Sequence, residues 1–256
     1  MTQSVPWTSI WITGASTGIG RELALTLARA GAKVAVSARS REKLDEIAGL
    51  APGVLVVPLD VTDQAATALA FAKIEANIGP LDLVILNAGV WHPMGAASFD
   101  AQKSANSMAV NYQGIANALE LVMRAMIARG RGHIAMTSSV AGYRGLPQAA
   151  AYAPSKAAVI SLAETLAPEL KKKGITVTVI NPGFVDTPMT KVNDFPMPFL
   201  MTTAGATQAI IDGLRRKKFE IAFPWQMVVL LKIARVLPYP LYFWFASTFL
   251  SPKRKN

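Results

Sequence analysis

The chain is 256 residues long, 52% hydrophobic and 16% charged, and its length suits one large α/β domain with a sizeable core. It has no cysteine, which excludes a disulfide framework and thiolate chemistry, and its two histidines, His92 and His133, are too far apart in sequence to suggest a metal site. The net charge of +10 fits an anionic substrate or an anionic lipid; nucleic acid is not expected, because no recognised binding motif and no basic residues interleaved with aromatics occur.

Residues 1–7 carry no basic region and run straight into a strand-like segment, so no signal peptide is read and a cytoplasmic location is expected. Short β-rich runs at 9–13, 33–38, 54–58, 81–86, 133–137 and 176–180 read as buried strands. Between them, 19–30, 41–50, 63–77, 104–129 and 151–173 read as helices. Such alternation gives a parallel sheet covered on both faces, and right-handed crossovers make it doubly wound. The expected fold class is therefore α/β, a Rossmann fold occupying 1–223 as one domain, followed by an apolar, basic-ended extension, 224–256.

The first strand leads into Thr13-Gly14-Ala15-Ser16-Thr17-Gly18-Ile19-Gly20 and then a helix. Glycine lets a backbone approach a ligand without a Cβ in the way, and the helix N-terminus presents free N–H groups to a phosphate. Three glycines at a strand–helix junction favour nucleotide binding over a plain turn. The second strand ends Val36-Ser37-Ala38-Arg39-Ser40-Arg41, with no acid to meet a ribose 2′-OH. Arg39 is either a solvated strand-end charge or a charge-assisted partner for a 2′-phosphate, with the Ser40 hydroxyl beside it. The missing acid favours the second reading, NADP(H) over NAD(H).

Tyr152 and Lys156 stand four apart in Tyr152-Ala153-Pro154-Ser155-Lys156. On a helix both side chains leave one face, and an ammonium beside a phenol is expected to lower the phenol's pKa toward neutrality, making it a usable proton donor and acceptor.

Taken together, the glycine loop, the Tyr152/Lys156 pair and the strings Asn87-Ala88-Gly89 and Asn181-Pro182-Gly183 resemble the short-chain dehydrogenase/reductase family from about residue 9 to about 190, and more weakly to 223. The resemblance implies a catalytic serine at Ser139, with Ser138 the adjacent competitor. It implies that Asn111 distorts the fourth helix and holds a water relaying protons to Lys156. Tyr152 would exchange a proton with the substrate oxygen, Lys156 would lower the Tyr152 pKa and bond the nicotinamide ribose, and Ser139 would steady the substrate oxygen. For the cofactor it implies Gly14, Ser16, Thr17, Gly18, Ile19 and Gly20 in the loop, and Asp60 with Val61 at the adenine. It also implies Asn87, Ala88 and Gly89 beneath the adenosine ribose, and Pro182, Gly183, Val185 and Thr187 around the nicotinamide. A homodimer or homotetramer is the family's expectation.

Residues 188–205 are expected to form a lid. Its Met, Phe and Pro content suits an apolar ligand of irregular shape, or equally a loop packing its own small core. Trp91, His92, Met94, Tyr143, Leu146 and Pro147 are expected on the opposite wall. In the extension, two apolar runs, 227–237 and 241–250, are interrupted by Lys232, Arg235, Pro238 and Pro240, and each falls short of the ~20 residues of a spanning helix. They fit an interfacial anchor, flanked by the basic clusters 215–218 and 253–255, or else an oligomer interface or a cap over the pocket. The function expected is NADP(H)-dependent hydride transfer to a lipophilic carbonyl (steroid-like, long-chain keto-lipid or 3-oxoacyl) or from the corresponding alcohol. The alternatives are a non-catalytic nucleotide-sensing or membrane-scaffold protein, and epimerisation or dehydration on the same residues.

Overall fold

The computed structural model describes residues 5–250. Its strands are β1 (Ser9–Thr13), β2 (Lys33–Ser37), β3 (Val54–Val56), β4 (Leu83–Leu86), β5 (Gly132–Thr137), β6 (Ile175–Pro182) and β7 (Glu220–Phe223). They form one parallel sheet in the order β3-β2-β1-β4-β5-β6-β7. Because β1 pairs with both β2 and β4, the chain changes winding direction there, and a crevice opens beyond the carboxyl ends of β1 and β4.

The central strands β1, β4, β5 and β6 bury both faces, whereas the edge strands β3 and β7 are only partly covered, and alternate side chains go to opposite layers. Ile10 and Ile12 of β1 pack with Leu23 and Leu27 of helix α1 (Gly18–Arg29), Leu44 and Ile47 of α2 (Arg41–Leu50), and Ile210 and Leu214 of α7 (Thr203–Arg215). Trp11, between them, joins Ile74 of α3 (Gln64–Ile78), Leu119 and Val122 of α5 (Gly114–Arg129), and Val159 of α6 (Tyr152–Lys171). These apolar side chains are essentially inaccessible, and each contributes about 1.5–3 kcal/mol of burial.

The helix expected over 104–129 is divided: α4 (Ala101–Met108) passes through a π turn, Ala109–Gln113, into α5. α7 and β7 were not expected. α7 nevertheless carries ordinary signals, a Thr202 N-cap accepting from the Gly205 N–H at 3.1 Å and an apolar stripe of Ala206, Ile210, Ile211 and Leu214. The extension forms α8 (Trp225–Val236), α9 (Tyr239–Phe245) and a π turn, Ala246–Leu250, with Pro238 opening α9. Among the described residues no helix is long and apolar enough to cross a membrane. The basic cluster Lys253, Arg254 and Lys255 lies outside the described residues.

Arg144 docks the extension. Its Nη1 donates to the carbonyls of Ala234 (2.5 Å), Arg235 (3.1 Å) and Leu237 (2.7 Å), capping the negative end of α8. Its guanidinium lies 3.9 Å from the ring centroid of Tyr242 and 5.1 Å from that of Tyr239.

Candidate active site

The crevice holds a cavity of about 210 Å³. Its lining includes Gly14, Ser16, Thr17, Gly18 and Ile19 from the first loop, and Asn87 and Gly89 after β4. Ser139, Tyr152 and Lys156 enter from β5 and α6, and Pro182, Gly183, Val185 and Thr187 from the end of β6. Five stretches of sequence therefore converge on one space.

The glycine loop is held by main-chain proximity. Gly14 has φ +67°, and a Cβ there would lie 2.6 Å from Ala88 Cα; a Cβ on Gly20 would lie 2.4 Å from the Gly14 oxygen. The loop is pinned from behind by Thr13, whose Oγ1 accepts from the N–H groups of Asn87 (3.0 Å) and Ala88 (3.2 Å). Asn87 Nδ2 donates to the Thr13 and Gly14 carbonyls, both at 3.3 Å. No acidic residue occupies the first turn of α1, so its N-terminus keeps its positive end toward the cavity.

Asn111 sits in the π turn and is fully buried. Its Nδ2 donates to Val90 O (3.1 Å) and Ser155 Oγ (2.9 Å), and its Oδ1 accepts from Val90 N (2.7 Å). The side chain thus clamps the segment leaving β4 to the first turn of α6. Asn111 Oδ1 and Lys156 Nζ both lie beside Gly89, 3.2 and 3.4 Å from where its Cβ would be.

The two neighbouring serines separate. Ser138 Oγ donates to the Lys156 carbonyl at 2.6 Å and so ties β5 to α6. Ser139 Oγ donates to Pro182 O (3.2 Å), accepts from Ala141 N (3.1 Å), and lies beside the Tyr152 phenol. Lys156 is buried, donates from Nζ to the Thr137 carbonyl at 2.9 Å, and stands 5.5 Å from the centroid of the Tyr152 ring.

The lowering of the Tyr152 pKa by Lys156 is not what the structure shows. Burial pushes the phenol up to about 12, and only the Ser139 hydroxyl pulls it the other way. Lys156 is itself pushed down to about 8 by burial. Desolvation of the phenol dominates here.

At the second strand, Arg39 is exposed and Ser40 caps α2, its Oγ accepting from Lys43 N at 3.5 Å. Asp60 is exposed. The Thr62 N–H and hydroxyl hold its carboxyl below the usual range despite partial burial, with a smaller contribution from the Arg39 guanidinium, so Arg39 and Asp60 share one rim. The Val61 side chain is buried against Gly114, and its carbonyl accepts from Asn117 Nδ2 at 2.9 Å. Only its backbone is left to meet a ligand.

Tyr143 also departs from the expected wall. It is buried, and its hydroxyl donates to Glu220 Oε1 at 2.5 Å, toward β7 and away from the cavity. His92 is half-buried, with Nε2 3.1 Å from Asn106 Oδ1, and is not among the residues lining the cavity. Thr13, Thr137 and Ser155 position the site, although Thr13 and Ser155 lie within the motif strings without being singled out as functional.

Residues 8–195 match the short chain dehydrogenase family. The chain is 42% identical over 235 residues to an uncharacterized oxidoreductase of Myxococcus xanthus, covering 90% of this chain and 93% of that one. It is 36% identical over 181 residues to the 3-oxoacyl-acyl-carrier-protein reductase of Escherichia coli, covering 70% and 74%. Among solved structures it resembles a short-chain dehydrogenase from Streptomyces avermitilis, with a TM-score of 0.80 and 26% identity over 88% of this chain and 92% of that one.

Proposed function

Since the chain belongs to the short-chain dehydrogenase family of oxidoreductases, which use a nicotinamide cofactor, we propose that it is an NADP(H)-dependent enzyme interconverting a carbonyl and a secondary alcohol on a lipophilic substrate. The observation that carries this reading is the convergence of Ser139, Tyr152 and Lys156 with the glycine loop on one cavity. The residues fit a dinucleotide: Gly14 leaves no room for a Cβ against Ala88, nor Gly20 against the Gly14 oxygen, and the α1 N-terminus faces the cavity without an acid. Arg39, with Ser40, is the group we assign to the 2′-phosphate, which favours NADP(H) over NAD(H).

When bound, the nicotinamide supplies or accepts the hydride. The chain's own residues move and hold the proton. In the reducing direction Tyr152 Oη releases its proton to the substrate oxygen, and in the oxidising direction it takes one back. A phenol raised to about 12 stays protonated through the neutral range, which suits it to donate. Ser139 Oγ donates to the substrate oxygen and fixes the carbonyl. Lys156, oriented by the Thr137 carbonyl, places positive charge beside the phenolate that forms and reaches the nicotinamide ribose. Asn111 keeps Val90 and Ser155 in place around this group.

The substrate class is argued from the apolar segments. Residues 188–205 form the lid, with Met189 on the cavity wall. The Escherichia coli relative's name adds support for a 3-oxoacyl chain beside a steroid-like or long-chain ketone. The extension 224–256 we assign to a membrane surface. Trp225, Val229, Ile233, Val236, Tyr239 and Phe243 are all exposed on α8 and α9, beside Lys232 and Arg235. A cytoplasmic, peripherally attached homodimer or homotetramer completes the proposal.

The direct test is a fluorescence titration with NADPH and NADH followed by turnover on medium-chain ketones. Tighter NADPH binding together with NADPH-dependent reduction is expected. NADPH binding with no turnover on any carbonyl would instead support a non-catalytic nucleotide-binding protein.

A further inference from the structure

We propose that Trp91 is a specificity-determining residue that latches the lid over Tyr152, an inference that rests on the reductase reading for its kinetic consequence but not for its structural one. Trp91 follows Gly89 and Val90 as the chain leaves β4. Its indole Nε1 donates to Asn193 Oδ1 at 2.9 Å, a bond that spans 102 residues of sequence and joins the lid to the opposite wall. Its ring meets the Tyr152 ring edge-on, with centroids 5.0 Å apart and planes at 82°. One side chain therefore flanks the candidate proton donor and holds the lid.

Its position is built from below. Asn111 clamps both backbone groups of Val90, the residue before Trp91, so the indole is aimed by the π turn. The lid is fastened at its two ends by other means. Thr190 Oγ1 donates to Val185 O at 2.6 Å near one end; Met201 N donates to Phe184 O (3.0 Å) and accepts from Asp186 N through its carbonyl (2.9 Å) at the other. Between these ends, Phe195 packs on Phe184 at 6.0 Å, and Asn193 Nδ2 donates to Met197 Sδ at 3.3 Å. Asn193 is thus tied both to the thioether-rich stretch of the lid and to Trp91. A substrate entering beside Tyr152 meets the indole face, and the lid closes on an apolar chain through the same residue. Large apolar substrates gain contact area there, whereas small polar ones gain little.

The test separates latch from chemistry. Lys191 is exposed in the lid, so trypsin cleavage after it reports lid opening without any turnover. Trp91→Phe keeps a ring but removes the N–H, and Asn193→Leu removes the acceptor. Each is expected to speed cleavage at Lys191 about three- to tenfold, the range expected for one hydrogen bond. Asn193→Asp, which keeps an acceptor oxygen, should restore the wild-type rate. The double variant Trp91→Phe/Asn193→Leu should be no faster than Asn193→Leu alone, because the Trp91–Asn193 bond is already broken there. In kinetics, Trp91→Phe should raise KM for the longest ketone more than it lowers kcat. Wild-type cleavage in both single variants, or additive effects in the double, would overturn the latch. An accelerated cleavage in a protein that turns over no carbonyl would keep the latch and overturn the reductase reading alone.

Discussion

Among the described residues, two tyrosine–lysine pairs with nearly equal Nζ-to-ring distances are built for opposite ends. Lys156 Nζ stands 5.5 Å from the Tyr152 ring, and Lys232 Nζ stands 5.7 Å from the Tyr143 ring. The difference is the third partner. Glu220 accepts from Tyr143 Oη (2.5 Å) and Asn181 Nδ2 (2.9 Å) through Oε1, and pairs with Lys232 through Oε2. Burial raises the Glu220 pKa, but these hydrogen bonds outweigh it and hold the carboxyl low, while burial and the carboxylate push the Tyr143 phenol far up. That phenol is locked as a donor to a permanent anion. The first pair has only neutral partners, the Ser139 hydroxyl beside the phenol and the Thr137 carbonyl on the ammonium. A proton can leave Tyr152 for a ligand without breaking an ion pair. Proximity of ammonium and phenol does not by itself make a proton-transfer site, and a carboxylate in the constellation holds the phenol proton in place.

The sharpest way to break this comparison is to remove each hydroxyl. Tyr152→Phe is expected to lower kcat by about 10²–10⁴-fold while NADPH affinity stays within about twofold, read by turnover and by titration. Next comes the pH response of Lys156. Below about pH 8 it is charged in both folded and unfolded chains, so its desolvation cost is fully present. Between about 8 and the unfolded value of 10.5 the folded chain holds it neutral, and stability rises with pH. Compared with Lys156→Met by thermal melts, wild type should gain on the order of 3 kcal/mol across that window. Tyr143→Phe should cost about 1.5–3 kcal/mol of stability, because a buried bond to a carboxylate is lost, with kcat changed less than about twofold. A kinetic effect there equal to that at Tyr152 would erase the distinction. The smallest effect concerns the rim: Arg39→Ala should weaken NADPH binding about tenfold and leave NADH binding unchanged.

The same contrast explains what could be read from the chain. The glycine loop, the strand–helix alternation and Tyr152/Lys156 are local patterns, and the structure brings them to one crevice because a doubly wound sheet gathers the carboxyl ends of its strands. The Tyr143–Glu220–Lys232 group joins residues 77 and 12 apart with no motif between them, so the sequence alone leaves Tyr143 on the pocket wall, whereas β7 beside it turns its hydroxyl to Glu220. β7 has only four residues, too few for alternation to stand out, and α7 was overshadowed by the Met, Phe and Pro of the preceding segment. The raised Tyr152 pKa was not legible because a spacing rule carries charge but not burial. Val61 reads as a motif residue, yet its side chain is claimed by the packing of Gly114 in α5.

The measurement that bears most directly on the whole account is NADPH oxidation against methyl ketones of graded chain length, with anionic liposomes present and Tyr152→Phe as the control. A rate that climbs with chain length and vanishes in the variant is the predicted result. A response that is flat with chain length, or that survives in Tyr152→Phe, would contradict the assignment of a lipophilic carbonyl substrate to this site.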